Sequence, residues 1–110
     1  MIRAIDHLSV DVLPQAVIGL PVDRVLKGLA KVSKGVDDFD YFEGAFFKLD
    51  DALEIAVRHY RGHPKDTATV YIDSRENDVE AITLLIRKIL SDLDVPLAAL
   101  QWERRDNPEL

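Results

Sequence analysis

His7, Arg58, Tyr60 and Tyr71 are the side chains of this sequence best suited to chemistry. A histidine exchanges protons near neutral pH, a tyrosine hydroxyl donates or accepts hydrogen bonds, and an arginine holds anions. Gathered around one cleft, such a set could do general acid/base work, which needs its members within hydrogen-bond reach of one another. Their spacing suggests how they could meet. Arg3, His7 and Ser9 alternate with apolar residues near the start of the chain, and Glu54, Arg58 and Tyr60 do so in the middle. Thr69 and Tyr71, then Gln101 and Glu103, repeat the pattern further on. A period of two places each group on one face of a strand. The candidate binding face is therefore Arg3, His7, Arg58, Tyr60, Thr69, Tyr71 and Gln101. No residue is assigned as catalytic.

Other chemical signatures fail on inspection. The absence of cysteine removes disulfides, thiolate metal sites and cysteine nucleophiles. There is no Gly-x-Gly, and neither Gly28 nor Gly35 is followed by the Lys-Ser/Thr pair of a phosphate loop. No serine lies in a Gly-x-Ser-x-Gly or Ser-x-x-Lys setting. The acidic run Asp37, Asp38 and Asp40 invites a calcium loop. Counted from Asp38, however, Phe42 and Leu49 fall where oxygen ligands belong, and Gly44 comes one place late. His59 and His63 have a spacing seen in zinc sites, but no third ligand accompanies them. No metal and no cofactor are expected.

The bulk numbers bound the rest. A chain of 110 residues that is 47% hydrophobic and 31% charged is one globular domain. The expected boundaries are residues 1–103 for the domain and 104–110 for a flexible tail. No run approaches the roughly 18 apolar residues of a membrane span, and Asp6 interrupts any leader-like stretch, so a cytoplasmic location is expected. The net charge of −6 opposes nucleic-acid binding. It is concentrated locally: residues 36–56 hold seven acidic side chains and one basic. Just before them, Arg24, Lys27, Lys31 and Lys34 form a basic stripe at helical spacing, which reads as the solvated side of a helix.

These residues must be positioned by a small set of elements. Residues 2–12 alternate as a strand that Pro14 would end, for want of an amide hydrogen. Residues 21–34 read as a helix, with Pro21 in its first turn, a stripe of Val22, Val25, Leu26, Leu29 and Val32, and Gly35 as cap. Residues 41–49 and 67–73 read as strands. Leu53 to Arg61 fits a strand or a helix, and the turns around it favour a three-stranded meander. The stretch from Arg75 to Leu93 is a helix capped by Asp73 or Ser74, and Leu97 to Glu103 alternates as a last strand. The fold class is α+β: a two-layer sandwich of order β-α-β-β-β-α-β, two helices packed on one face of a mostly antiparallel sheet. The other face would then be left uncovered.

Two functions compete for that open face. One is a small acidic protein-binding module, such as an inhibitor or immunity-type protein, since tyrosine and arginine are enriched at interfaces. The partner would be another protein or a second copy in a homodimer. The other is a small ligand-binding protein or enzyme using the face as a cleft. Without a nucleophile or metal signature, the protein-binding module leads and the ligand-binding protein or enzyme is the alternative.

Overall fold

A computed structural model describes residues 2–27, 32–36, 40–50 and 52–105. The strands are β1 (Ile2–Ile5), β2 (Val12–Ile18), β3 (Ser33–Val36), β4 (Tyr41–Leu49), β5 (Leu53–Tyr60), β6 (Ala68–Asp73) and β7 (Leu100–Glu103). The helices are α1 (Val22–Val25), between β2 and β3, and α2 (Val79–Asp92), between β6 and β7. All pairings are antiparallel, in the order β1-β4-β5-β6-β2-β7, with β3 also on β4. The observed element order is thus ββαββββαβ. No helix among the described residues is long and apolar enough to cross a membrane.

The centre of the sheet is the β4–β5–β6 meander. Asp50 makes the first turn possible: its φ of 52° is a left-handed value that aspartate tolerates better than most residues, and Ala52 N–H bonds back to the Leu49 carbonyl at 3.0 Å. Leu53 to Tyr60 is strand and not helix because β4 and β6 pair with it on both sides. Its alternate residues Ile55 and Val57 then join Ala45, Phe47, Val70 and Ile72 in one core with Val25 of α1 and Ile82, Ile86, Ile89 and Leu90 of α2. On α2 those four residues recur at helical spacing and form its buried stripe.

Several sequence expectations are corrected. The strand expected over 2–12 is two strands. Asp6, the acidic exception in its apolar pattern, is where the chain leaves the sheet. Pro14 lies inside β2 instead of ending it. Its missing N–H is tolerated because β7 pairs only with residues 16–18, and on the β6 side the register shifts between Pro14 and Ala16. The helix expected over 21–34 closes after Val25, and Gly35 is a strand residue opposite Phe42 rather than a cap. Residues 33–36 satisfy their backbone groups on the edge of β4, so tertiary pairing overrides helical spacing there. The basic stripe is broken accordingly: Arg24 is in the single turn of α1, Lys34 is on β3, and Lys31 lies outside the described residues.

α2 also starts later than its spacing suggests. Asp73 remains in β6 with its carboxylate on Arg75, and Ser74 N–H bonds to the Asp11 carbonyl, so Asp78 is the cap and accepts from Ala81 N–H at 3.2 Å. The helix ends on Asp94 at φ 56°, with Val95 N–H on the Leu90 carbonyl and Asp94 N–H on that of Ser91. That is the Schellman arrangement, and the buried Val95 side chain completes it. Residues 97–99 form a 3₁₀ turn where strand was expected, before β7 begins. Arg104 still touches the sheet, its N–H bonding the Gln15 carbonyl at 3.0 Å. Residues 106–110 of the expected tail lie outside the described residues.

Candidate functional site

Strands β4, β5 and β6 turn one set of side chains to the helices and the other set to the opposite face. The second set includes Phe42 and Phe46 of β4, Ala56, Arg58 and Tyr60 of β5, and Thr69 and Tyr71 of β6. This face is not bare. β1 and β2 lie on either side of the meander, so residues 6–11 must cross it to connect them. Leu8 packs on the buried Ala56, Tyr60 and Tyr71 cluster, as does Val12, both expected to point the other way. Ser9 is fixed to the buried Glu54: its N–H donates to Oε1 at 2.6 Å and its hydroxyl to Oε2. The crossing segment covers the Glu54 end of the face and leaves the Tyr60 end open.

At that open end lies a concavity of about 690 Å³. Its strand floor carries Arg58, Tyr60, Thr69 and Tyr71, β2 contributes Leu13, Pro14 and Val17, and the loop after β5 adds His63 and Thr67. Gln101 reaches it from β7, passing so close to Gly19 that a side chain there would meet its Nε2 at 2.5 Å. Arg58 is the most constrained member. Its guanidinium carbon lies 4.7 Å from the ring centre of Phe42, 5.0 Å from that of Phe46 and 5.7 Å from that of Tyr71. Its Nη1 donates to Tyr60 Oη at 2.8 Å. Tyr60 in turn meets Tyr71 and His63 edge-on, at 6.2 and 5.3 Å between ring centres. These are the separations at which aromatic edges and faces attract, so the rings fix one another and the arginine.

Arg58, Tyr60, Thr69, Tyr71 and Gln101 of the sequence-derived face therefore line one concavity. Arg3 and His7 do not. Arg3 sits on the edge strand opposite Lys48, and His7 belongs to the exposed crossing segment. The acid/base centre imagined around His7 is not assembled. Glu103 is also displaced from that face: it is buried and held by Arg87 of α2 at 2.7 and 3.0 Å, on the helix side. His59 and His63 part company, His59 Nδ1 meeting the Thr67 carbonyl at 2.8 Å while His63 packs on Tyr60. The acidic block is spread as well, with Asp40 on Arg61 at 2.9 Å and Asp50 on Lys88. Sequence reading missed the β2 wall because it treated Pro14 as a terminator.

The buried carboxylates make the fold acid-sensitive. Arg75 holds Asp73 below the usual carboxylate range, Arg87 does the same for Glu103, and the Ser9 hydroxyl and amide do so for Glu54. On the surface, the hydrogen bond from Lys88 lowers Asp50 to about 2. Each group binds its proton more weakly folded than unfolded, where about 4 is usual. The stability they confer is therefore complete above that value and lost as pH falls through the folded one. The urea midpoint, followed by circular dichroism, is expected to hold from neutral pH to about 5 and to drop steeply below about 4. Asp73→Asn should cost about 2 kcal/mol at neutral pH and flatten part of that drop. A midpoint unchanged down to pH about 3 would refute the assignment.

Comparison with family models, with curated proteins and with solved structures returned no match to this chain.

Proposed function

We propose that this chain is a small-molecule binding module whose ligand enters the concavity at the open end of the sheet. The observation that carries this reading is one arginine fixed by three aromatic rings and a tyrosine hydroxyl in a hollow of about 690 Å³. Ligand sites are typically hollows of roughly 300–1,000 Å³, mainly apolar, with a few convergent polar groups. Leu13, Pro14, Val17 and the tyrosine rings supply the apolar lining, and Arg58, Thr69 and Gln101 the polar groups. The acid/base set drawn around His7 is not assembled there, because His7 is outside the hollow. A protein partner is the second reading, favoured by the half-exposed Leu13 and Trp102 on β2 and β7.

The test is a screen of flat, drug-sized fragments by amide chemical shifts of isotope-labelled protein. Binders are expected to move the signals of Arg58, Thr69, Tyr71 and Gln101 together. Shifts scattered over the surface, or none at all, would remove the small-molecule reading and leave the protein partner in its place.

A further inference from the structure

We infer that the concavity selects an uncharged aromatic amide, its flat body on the β2 wall and its N–H and carbonyl met by the Thr69 hydroxyl and the Gln101 side chain. This rests on the binding reading above and adds the ligand's chemical class.

Unused polar groups are the first support. Thr69 is only 5% exposed and lines the hollow, yet its hydroxyl has no hydrogen-bond partner among the described residues. Of the fully enclosed side-chain atoms described, Arg58 Nε is the one without a partner, so the Thr69 oxygen is reachable from the hollow. An unbonded hydroxyl at so buried a place costs stability unless something else completes it. The Gln101 amide also lacks a partner among the described residues. It lies across β2 from Thr69, because Val17 pairs with Thr69 on one side and with β7 on the other. Gly19 leaves room for it: a Cβ there would stand 2.5 Å from Gln101 Nε2. Between the two polar groups runs the apolar strip of Leu13, Pro14 and Val17, with Pro14 beside the Tyr71 ring. A flat body fits that strip.

Charge is the second. The charged residues of the described lining are Arg58 and Asp40, one of each sign. Arg58 gives Nη1 to Tyr60 Oη and lies among the Phe42, Phe46 and Tyr71 rings, while Asp40 holds Arg61 at 2.9 Å. An ion entering on the β2 side would lose water against apolar side chains and meet only a hydroxyl and an amide. Those two groups can each give and accept a hydrogen bond. A ligand amide does the same without charge, whereas a carboxylate brings acceptors alone and an ammonium donors alone.

The experiment titrates quinolin-2-one, N-methylquinolin-2-one and 2-naphthoate into the labelled protein and into Thr69→Val and Gln101→Leu. Quinolin-2-one should bind the hollow about fivefold tighter than either other probe, the difference one net hydrogen bond makes. Each substitution should weaken it about fivefold. Thr69→Val keeps the branched side chain, so its urea midpoint should hold or rise. A clearly lowered midpoint would show the hydroxyl already bonded and overturn the inference. Equal or tighter binding of the methylated compound or of naphthoate at the hollow would overturn the amide class and leave the binding reading intact. So would loss of all three probes while another fragment still occupies the hollow. If no fragment occupies it, both readings fall. Should a variant not fold, the ratio of quinolin-2-one to its N-methyl derivative in the unsubstituted protein decides alone.

Discussion

Gly44→Ala is expected to remove roughly 3 kcal/mol of stability, the upper end of what forced overpacking costs. The reason lies in the β4–β5 ladder. A Cβ on Gly44 would stand 2.2 Å from the Val57 carbonyl oxygen and 3.0 Å from Arg58 Cα. Both obstacles are backbone, and no rotamer change can clear them. β4 would have to move away from β5 along a ladder that runs unbroken from Phe42–Tyr60 to Leu49–Leu53. Against a total of about 5–15 kcal/mol for an ordinary domain, that is a large fraction. Urea unfolding of the variant measures it directly, and a loss below about 1 kcal/mol would mean that β4 and β5 do not approach as described.

The neighbouring phenylalanines give the second large effect, and they work as a pair. Phe47 is 1% exposed and faces the helices, whereas Phe46 faces the opposite side, only partly buried against Phe42 and Arg58. Phe47→Ala should cost roughly 3–5 kcal/mol, from lost transfer energy and the cavity left behind. Phe46→Ala should cost about 1–2 kcal/mol, in keeping with its partial burial. It should also loosen Arg58 by removing one of the rings that hold it. Equal losses, or a greater one at Phe46, would reverse the assignment of the two faces.

How far these features could be read from sequence depended on whether their cause was local. Alternation in residues 41–49 and 67–73 survives because both strands have one face on the core, and the α2 stripe survives because Ile82, Ile86 and Ile89 share one buried side. Arg58, Tyr60, Thr69 and Tyr71 were legible as one face for the same reason. Leu53 to Tyr60 was ambiguous because its apolar residues fit both periods, and only pairing on two sides decides it. Pro14 misleads because its tolerance depends on where β7 stops, which is set about 90 residues away. Gly44 looked like a misplaced loop glycine, since its meaning lies in the strand beside it. His7 would join the site only in a strand that continued past Asp6, and β1 ends at Ile5.

The crossing segment has a consequence for how such a sheet can assemble. The β4–β5–β6 meander joins near neighbours in sequence, but Ile5 pairs with Phe46, Val12 with Asp73 and Ala16 with Glu103. Closing loops of that length costs chain entropy before the contacts form, and such non-local pairings slow folding far more than they alter final stability. The first strands to be synthesised thus have no partners until the meander exists, and β2 has its second neighbour only when β7 arrives. The hollow, which needs β2 as its wall, is correspondingly a late product of folding: the meander alone would carry the arginine and its rings, but no pocket.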